Sequence, residues 1–202
     1  MRDLRICFLG DSFTAGAGDE TGLGWVGRVT AHAWAQGVAL TPYNLGVRRD
    51  TSADMLRRAE AEVLARLLGN PGDGQGLVLC CGGNDTTFLD DAPRVPPAQV
   101  AENVERILAW GVARWPVLLL GVPPLCHDAA HDARAAALEP LLAAVAAELQ
   151  VPFLPLHAAL SATPHWRAAA LRRDGVHPDG AGYAALAGLV EAWPGWRAML
   201  AG

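Results

Sequence analysis

Leu4-Arg5-Ile6-Cys7-Phe8-Leu9-Gly10-Asp11-Ser12-Phe13-Thr14-Ala15-Gly16 is the stretch from which the fold is read. Its apolar run stops abruptly at Gly10-Asp11-Ser12, and small and glycine residues follow before an amphipathic segment starts. That pattern predicts a buried strand delivering a polar side chain to the carboxyl edge of a parallel sheet. Ligand chemistry in open α/β sheets gathers at that edge.

Working outward, apolar runs alternate with helix-like periods, as in βαβ units. Trp25, Val29 and Ala33 share one face of a helix over 25–36, and a second strand ends in Tyr43-Asn44-Leu45-Gly46. Ser52 is placed to cap a helix carrying Leu56, Ala59, Val63 and Leu67. Asn70-Pro71-Gly72-Asp73-Gly74 is a loop by composition. Strand three, 77–81, is apolar throughout and stops at Gly82-Gly83-Asn84-Asp85. A Pro-bearing acidic loop runs to Pro97, and the next helix shows Val100, Val104, Ile107, Leu108 and Gly111 in its stripe. Strand four is 117–121, and residues 125–133 read as a polar loop. A helix around 138–149 contains Pro140, as a kink or a first-turn residue. Strand five is 151–156, the stretch 157–173 reads as irregular, and a last helix turns Tyr183, Leu186 and Val190 inward. The expected fold is a single α/β domain over 1–202. It is a three-layer α/β/α, flavodoxin-like arrangement with five parallel strands in the order 2-1-3-4-5.

Composition narrows the partners. All 16 basic residues are Arg, against 21 acidic ones, and the net charge is -5. No dense basic patch appears, so nucleic acid is not an expected partner. No apolar run is long enough to span a bilayer. The first strand begins within a few residues of Met1, which predicts no signal peptide. Cys7, Cys80, Cys81 and Cys126 form no Cys-x-x-Cys pair, so free thiols in a cytoplasmic protein are expected.

Three strand ends carry small or polar residues at one rim: Gly10-Asp11-Ser12, Asn44-Leu45-Gly46 and Gly82-Gly83-Asn84-Asp85. Near the C-terminus Asp174 and His177 stand three apart around Gly175. This spacing lets the carboxylate reach Nδ1–H of the imidazole while Nε2 faces outward. A serine hydroxyl is a poor nucleophile at neutral pH without such a base. The carboxylate fixes the tautomer and stabilises the imidazolium. Backbone N–H groups at glycine turns and an Asn amide suit the oxyanion of acyl transfer.

These four blocks, in this order over nearly the whole chain, resemble the SGNH, or GDSL-type, hydrolase superfamily. The resemblance implies Ser12 as nucleophile, His177 as base and Asp174 as its orienter, with Ser12 N–H, Gly46 N–H and the Asn84 side chain as the oxyanion hole. It implies a small-molecule acyl ester as substrate, cleaved through an acyl-enzyme without metal or organic cofactor; the class also includes small-sugar O-deacetylases. One departure is visible: the second block often carries another glycine a few residues on, where Arg48-Arg49 stand here.

Two competing readings fit the sequence less well. A non-enzymatic flavodoxin-like module would hold FMN or phosphate at the same rim, but the first turn is not a Ser/Thr/Gly-rich phosphate cradle. In Cys126-His127-Asp128-Ala129-Ala130-His131-Asp132 the two histidines have the spacing of a helical zinc motif. A zinc site would need a third ligand and a continuous helix, so a polar loop beside the rim is the expectation. Trp166 is a candidate for the acyl pocket.

Overall fold

The computed structural model describes residues 2–69 and 74–202; the loop expected at 70–74 falls, for 70–73, outside the described residues. Strands β1 (Arg2–Gly10), β2 (Val38–Gly46) and β3 (Gln75–Cys80) join β6 (Val117–Leu120) and β7 (Phe153–Leu154) in one parallel sheet. The spatial order is β2-β1-β3-β6-β7, which is the expected 2-1-3-4-5 once a small hairpin is set aside. That hairpin, β4 (Phe88–Leu89) with β5 (Ala92–Pro93), lies in the acidic loop. Pro42 lacks an N–H, and it is tolerated because β2 is an edge strand.

The short α1 (Ser12–Ala15) follows β1 directly, and α2 (Gly24–Ala35) comes next. Helices α3 (Ser52–Leu64), α4 (Pro97–Val112) and α5 (Ala129–Glu148) pack in succession on one another. On the other side α2 packs on α8 (Gly180–Ala192), which meets α9 (Pro194–Ala201). Phe8 of the central β1 is fully buried there, edge-on to Trp25 at 5.4 Å and tilted against Trp196 at 6.1 Å. Such aromatic pairs add ~0.5–1.5 kcal/mol beyond their burial.

Three local expectations are corrected. Thr51, not Ser52, caps α3: its side chain accepts from Asp54 N–H while Asp54 accepts from Thr51 N–H, freeing Ser52 for another use. The supposedly irregular stretch 157–173 holds two helices, α6 (His157–Ser161) and α7 (Pro164–Leu171), the second opened by Pro164 at its first position. Residues 125–133 are not a polar loop: Leu125 and Cys126 are buried, and α5 starts at Ala129 on the Asp128 cap. Of the two positions open for Pro140, the structure has the interior one, deep inside α5.

Candidate active site

The turn after β1 is built by close approach. A Cβ on Gly10 would lie 2.1 Å from Thr14 Oγ1 and 2.8 Å from the Cys80 carbonyl, so only glycine lets the chain reverse against β3. Asp11 then caps α1 by accepting from Phe13 N–H at 2.9 Å, which sets Ser12 at the helix start, 6 % exposed.

From the far end of the chain, His177 Nε2 reaches Ser12 Oγ at 2.7 Å, and His177 Nδ1 lies 2.6 Å from Asp174 Oδ2. Asp174 Oδ1 accepts from the N–H groups of Val176 and His177 at 2.9 and 2.8 Å, so the loop organises its own carboxylate. Partial burial would raise the Asp174 pKa, but the hydrogen bonds from His177 and Val176 outweigh it and bring it to about 2. With Asp174 ionised, Nδ1 carries the proton and Nε2 is left to accept from the serine hydroxyl. Phe13 packs 5.5 Å from the His177 ring and 6.0 Å from Trp166. Trp166 is fully buried behind Phe13, donating to the Pro124 carbonyl, and does not line the cavity.

That cavity, of about 220 Å³, is lined by Ser12, His177, Asn84, Arg49, Leu125 and Val176 among others. A larger groove of about 680 Å³ near Trp115 and Val151 includes no Ser, Cys, His or acidic side chain among its described lining.

Asn84 joins the cavity, but Gly46 does not. The Gly46 N–H donates to Asn44 Oδ1 at 3.0 Å, and the same Asn44 side chain donates to the Thr14 carbonyl at 2.8 Å. A Cβ on Gly46 would lie 2.2 Å from Ala15 N, so this glycine serves close packing of β2 against the turn. The left-handed residue of the second block is Arg49, at φ 70°, and it lines the cavity.

Several supporting contacts carried no signal in the sequence. Arg58 donates to the carbonyls of Gly10 and Leu45 and to Asp50, tying the ends of β1 and β2 together. Asp85 is fully buried and accepts from the Ser52 backbone and hydroxyl, with Asn103 donating to that hydroxyl in turn. This network anchors the Asn84 loop to the start of α3. Burial also raises the Asp11 carboxyl, to about 7, against the Phe13 N–H that lowers it and with Asp85 and Asp50 adding to the rise.

His127 Nε2 and His131 Nδ1 are 3.2 Å apart, while His131 Nε2 faces the Gly83 carbonyl and Thr86 hydroxyl. A carbonyl only accepts, so His131 carries its proton on Nε2 and receives one from His127. His127 precedes the cap of α5, so the two are not on one continuous helix. Among the described residues, no three His, Cys, Asp or Glu side chains are grouped to hold a metal ion.

The sheet order and the rim it carries define a three-layer α/β/α protein with a Ser–His–Asp hydrogen-bonded chain at its carboxyl edge. The family model for the GDSL-like lipase/acylhydrolase family matches residues 8–185, and the chain belongs to that family. Among solved structures, it is similar to a lipase/acylhydrolase from Enterococcus faecalis at 26% identity and TM-score 0.74, over 100% of this chain and 96% of that one. A member of the lipolytic G-D-S-L family from Veillonella parvula, at 21% identity and TM-score 0.75, is covered over 98% of its length and 95% of this chain. An acetylxylan esterase from Geobacillus stearothermophilus shares the fold at 18% identity and TM-score 0.75, over 92% of this chain and 91% of its own. No curated protein sequence matches. Among the described residues, no helix is long and apolar enough to cross a membrane.

Proposed function

We propose that this chain is a serine ester hydrolase working through an acyl-enzyme. The observation that supports it most is the continuous chain from Ser12 Oγ through His177 to Asp174, with both links under 2.8 Å at the cavity wall. Ser12 attacks the ester carbonyl while His177 Nε2 takes its proton, and Asp174 stabilises the imidazolium. His177 then protonates the leaving alcohol. Water, deprotonated by the same nitrogen, attacks the acyl-enzyme and releases the acid. The cycle uses only these side chains and water.

The oxyanion is assigned to Ser12 N–H, the Asn84 amide and, in place of Gly46, the Arg49 N–H. Arg49 N–H has no acceptor among the described residues, whereas Gly46 N–H is already used. Pockets for drug-sized ligands run to ~300–1,000 Å³, so a cavity of about 220 Å³ favours a short acyl group over a fatty chain. Deacetylation of a small sugar is one form of the same chemistry. A non-enzymatic binding module would leave the three-residue chain without a use.

A fluorophosphonate probe tests this reading. One adduct is expected, at Ser12, and none on Ser12→Ala. A wild-type protein that neither takes the label nor hydrolyses acetyl or butyryl nitrophenyl esters would overturn it.

A further inference from the structure

Arg48 and Arg49 are consecutive, both are exposed, and both line the cavity that holds Ser12 and His177. Neither guanidinium has a hydrogen bond or ion pair among the described residues. Their neighbours do: Arg57 pairs with Asp54, Arg58 with Asp50, and Arg94 donates to the Arg49 carbonyl. The one acidic residue in the cavity lining is Asp11, which is itself buried and accepts from Phe13 N–H and the Asn84 amide. In a chain of net charge -5, this places two uncompensated cations at the mouth of the proposed nucleophile's cavity.

The backbone adds a second observation. Arg49 holds φ 70°, a conformation that glycine adopts without strain and that a side chain makes costly. An N–H offered to the cavity requires no side chain. What arginine adds over glycine at this position is the guanidinium, a planar fork whose geometry matches a carboxylate.

We propose that the substrate is a small ester carrying a free carboxylate, held by Arg48 and Arg49 while its ester carbonyl faces Ser12. This rests on the hydrolase reading above and narrows it to monoesters of dicarboxylic acids or acyl esters of hydroxy acids. The shared chemistry is a carboxylate within a few bonds of the scissile carbonyl, on the acyl or the alcohol side. Neutral esters forgo that contact, and the arginines remain solvated when they bind.

The test uses the Ser12→Ala protein, so that binding is read without turnover. Monomethyl succinate carries the carboxylate on the acyl side and O-acetylglycolate on the alcohol side; each is titrated against its neutral methyl ester by ligand-observed NMR. At least one acid should bind about tenfold or more tightly than its methyl ester, and which one identifies the side. The preference should shrink to about twofold or less in Arg48→Gln and in Arg49→Gly, and in about 0.5 M salt. Arg49→Gly suits φ 70° and keeps the backbone N–H, and thermal melting checks that it folds. Equal binding of acid and methyl ester in both pairs, or a preference that survives both substitutions, overturns the proposal. The fluorophosphonate result decides the hydrolase reading independently, so the two failures are distinguishable.

Discussion

Asn84 Nδ2 lies 3.3 Å from Asp11 Oδ2 and 3.0 Å from the Asp50 carbonyl, so both protons of this amide have acceptors before any substrate arrives. The bond to Asp11 is the longer and weaker one, and its proton is the one an oxyanion would compete for. Asp50 meanwhile holds Arg58, which fixes the ends of β1 and β2. The amide is thus aimed by groups that are themselves fixed.

Asn84→Ala is expected to lower kcat by ~10²–10³ with a smaller change in KM, as for loss of one oxyanion donor. Steady-state kinetics on a short nitrophenyl ester measures it. Gly46→Ala should act through folding instead, because its Cβ would lie 2.2 Å from Ala15 N and 2.8 Å from the Asp11 carbonyl. A loss of ~1–3 kcal/mol in denaturant unfolding is expected. A normally stable Gly46→Ala with a large fall in kcat would restore that glycine as a donor.

Asp174→Asn is expected to cost ~10³–10⁴ in kcat by leaving the imidazole in the wrong tautomer. The Asp174 pKa is depressed to about 2, so its contribution to stability is present above the ordinary carboxylate range and is lost as pH falls toward 2. Its side chain is half exposed, so solvent keeps that contribution small. Comparing melting temperatures of wild type and variant at pH 7 and pH 3 reads it.

Asp11 titrates in the opposite sense. Its folded pKa is raised from 3.8 to about 7, so between those values the folded chain keeps a proton that the unfolded chain has lost. Stability from this group is full below pH 4 and is lost as pH rises through 7. Asp11→Asn should therefore cost more at pH 5 than at pH 8, by up to a few kcal/mol. Chemical denaturation at both pH values checks it, and a pH-independent cost would show that Asp11 ionises normally in the fold.

Trp166 should matter for activity without touching substrate. Replacing it by Leu removes the bond to the Pro124 carbonyl and the support behind Phe13, which packs on His177. A loss of ~2–4 kcal/mol is expected, with kcat falling more than KM rises. An unchanged kcat in a destabilised protein would sever Trp166 from the His177 geometry.

The four cysteines are buried and unpaired, and burial raises the Cys7 thiol to about 12. Native protein should resist iodoacetamide at pH 8, and all four thiols should react once it is unfolded. Rapid labelling of the native state would contradict the packing of β1 and β3.

The sheet order was legible because β1, β3 and β6 carry buried apolar runs that stop at glycine, with helix-like periods between the strands. The meeting of Ser12, His177 and Asp174 was legible because their blocks are compact. Other features were hidden for physical reasons. Arg49 takes a left-handed conformation that sequence patterns associate with glycine, so nothing in the sequence marks its backbone. Asp90 and Asp91 turn the small hairpin at φ 49° and 65° with no glycine to mark it. Helix α7 is rich in alanine and lacks a clear apolar stripe, and the Arg58 and Asp85 contacts join residues far apart in sequence.

Ser12 and His177 meet across 165 positions of chain, whereas His177 and Asp174 are separated by three. During synthesis Ser12 therefore emerges long before His177, and β1 to β7 can all be made before the hydroxyl has its imidazole partner. Only when the segment after α7 has been made and docks beside α1 can the hydrogen-bonded chain of Ser12, His177 and Asp174 close. A chain that stops before that segment contains every strand of the sheet and still lacks the contact between Ser12 and His177.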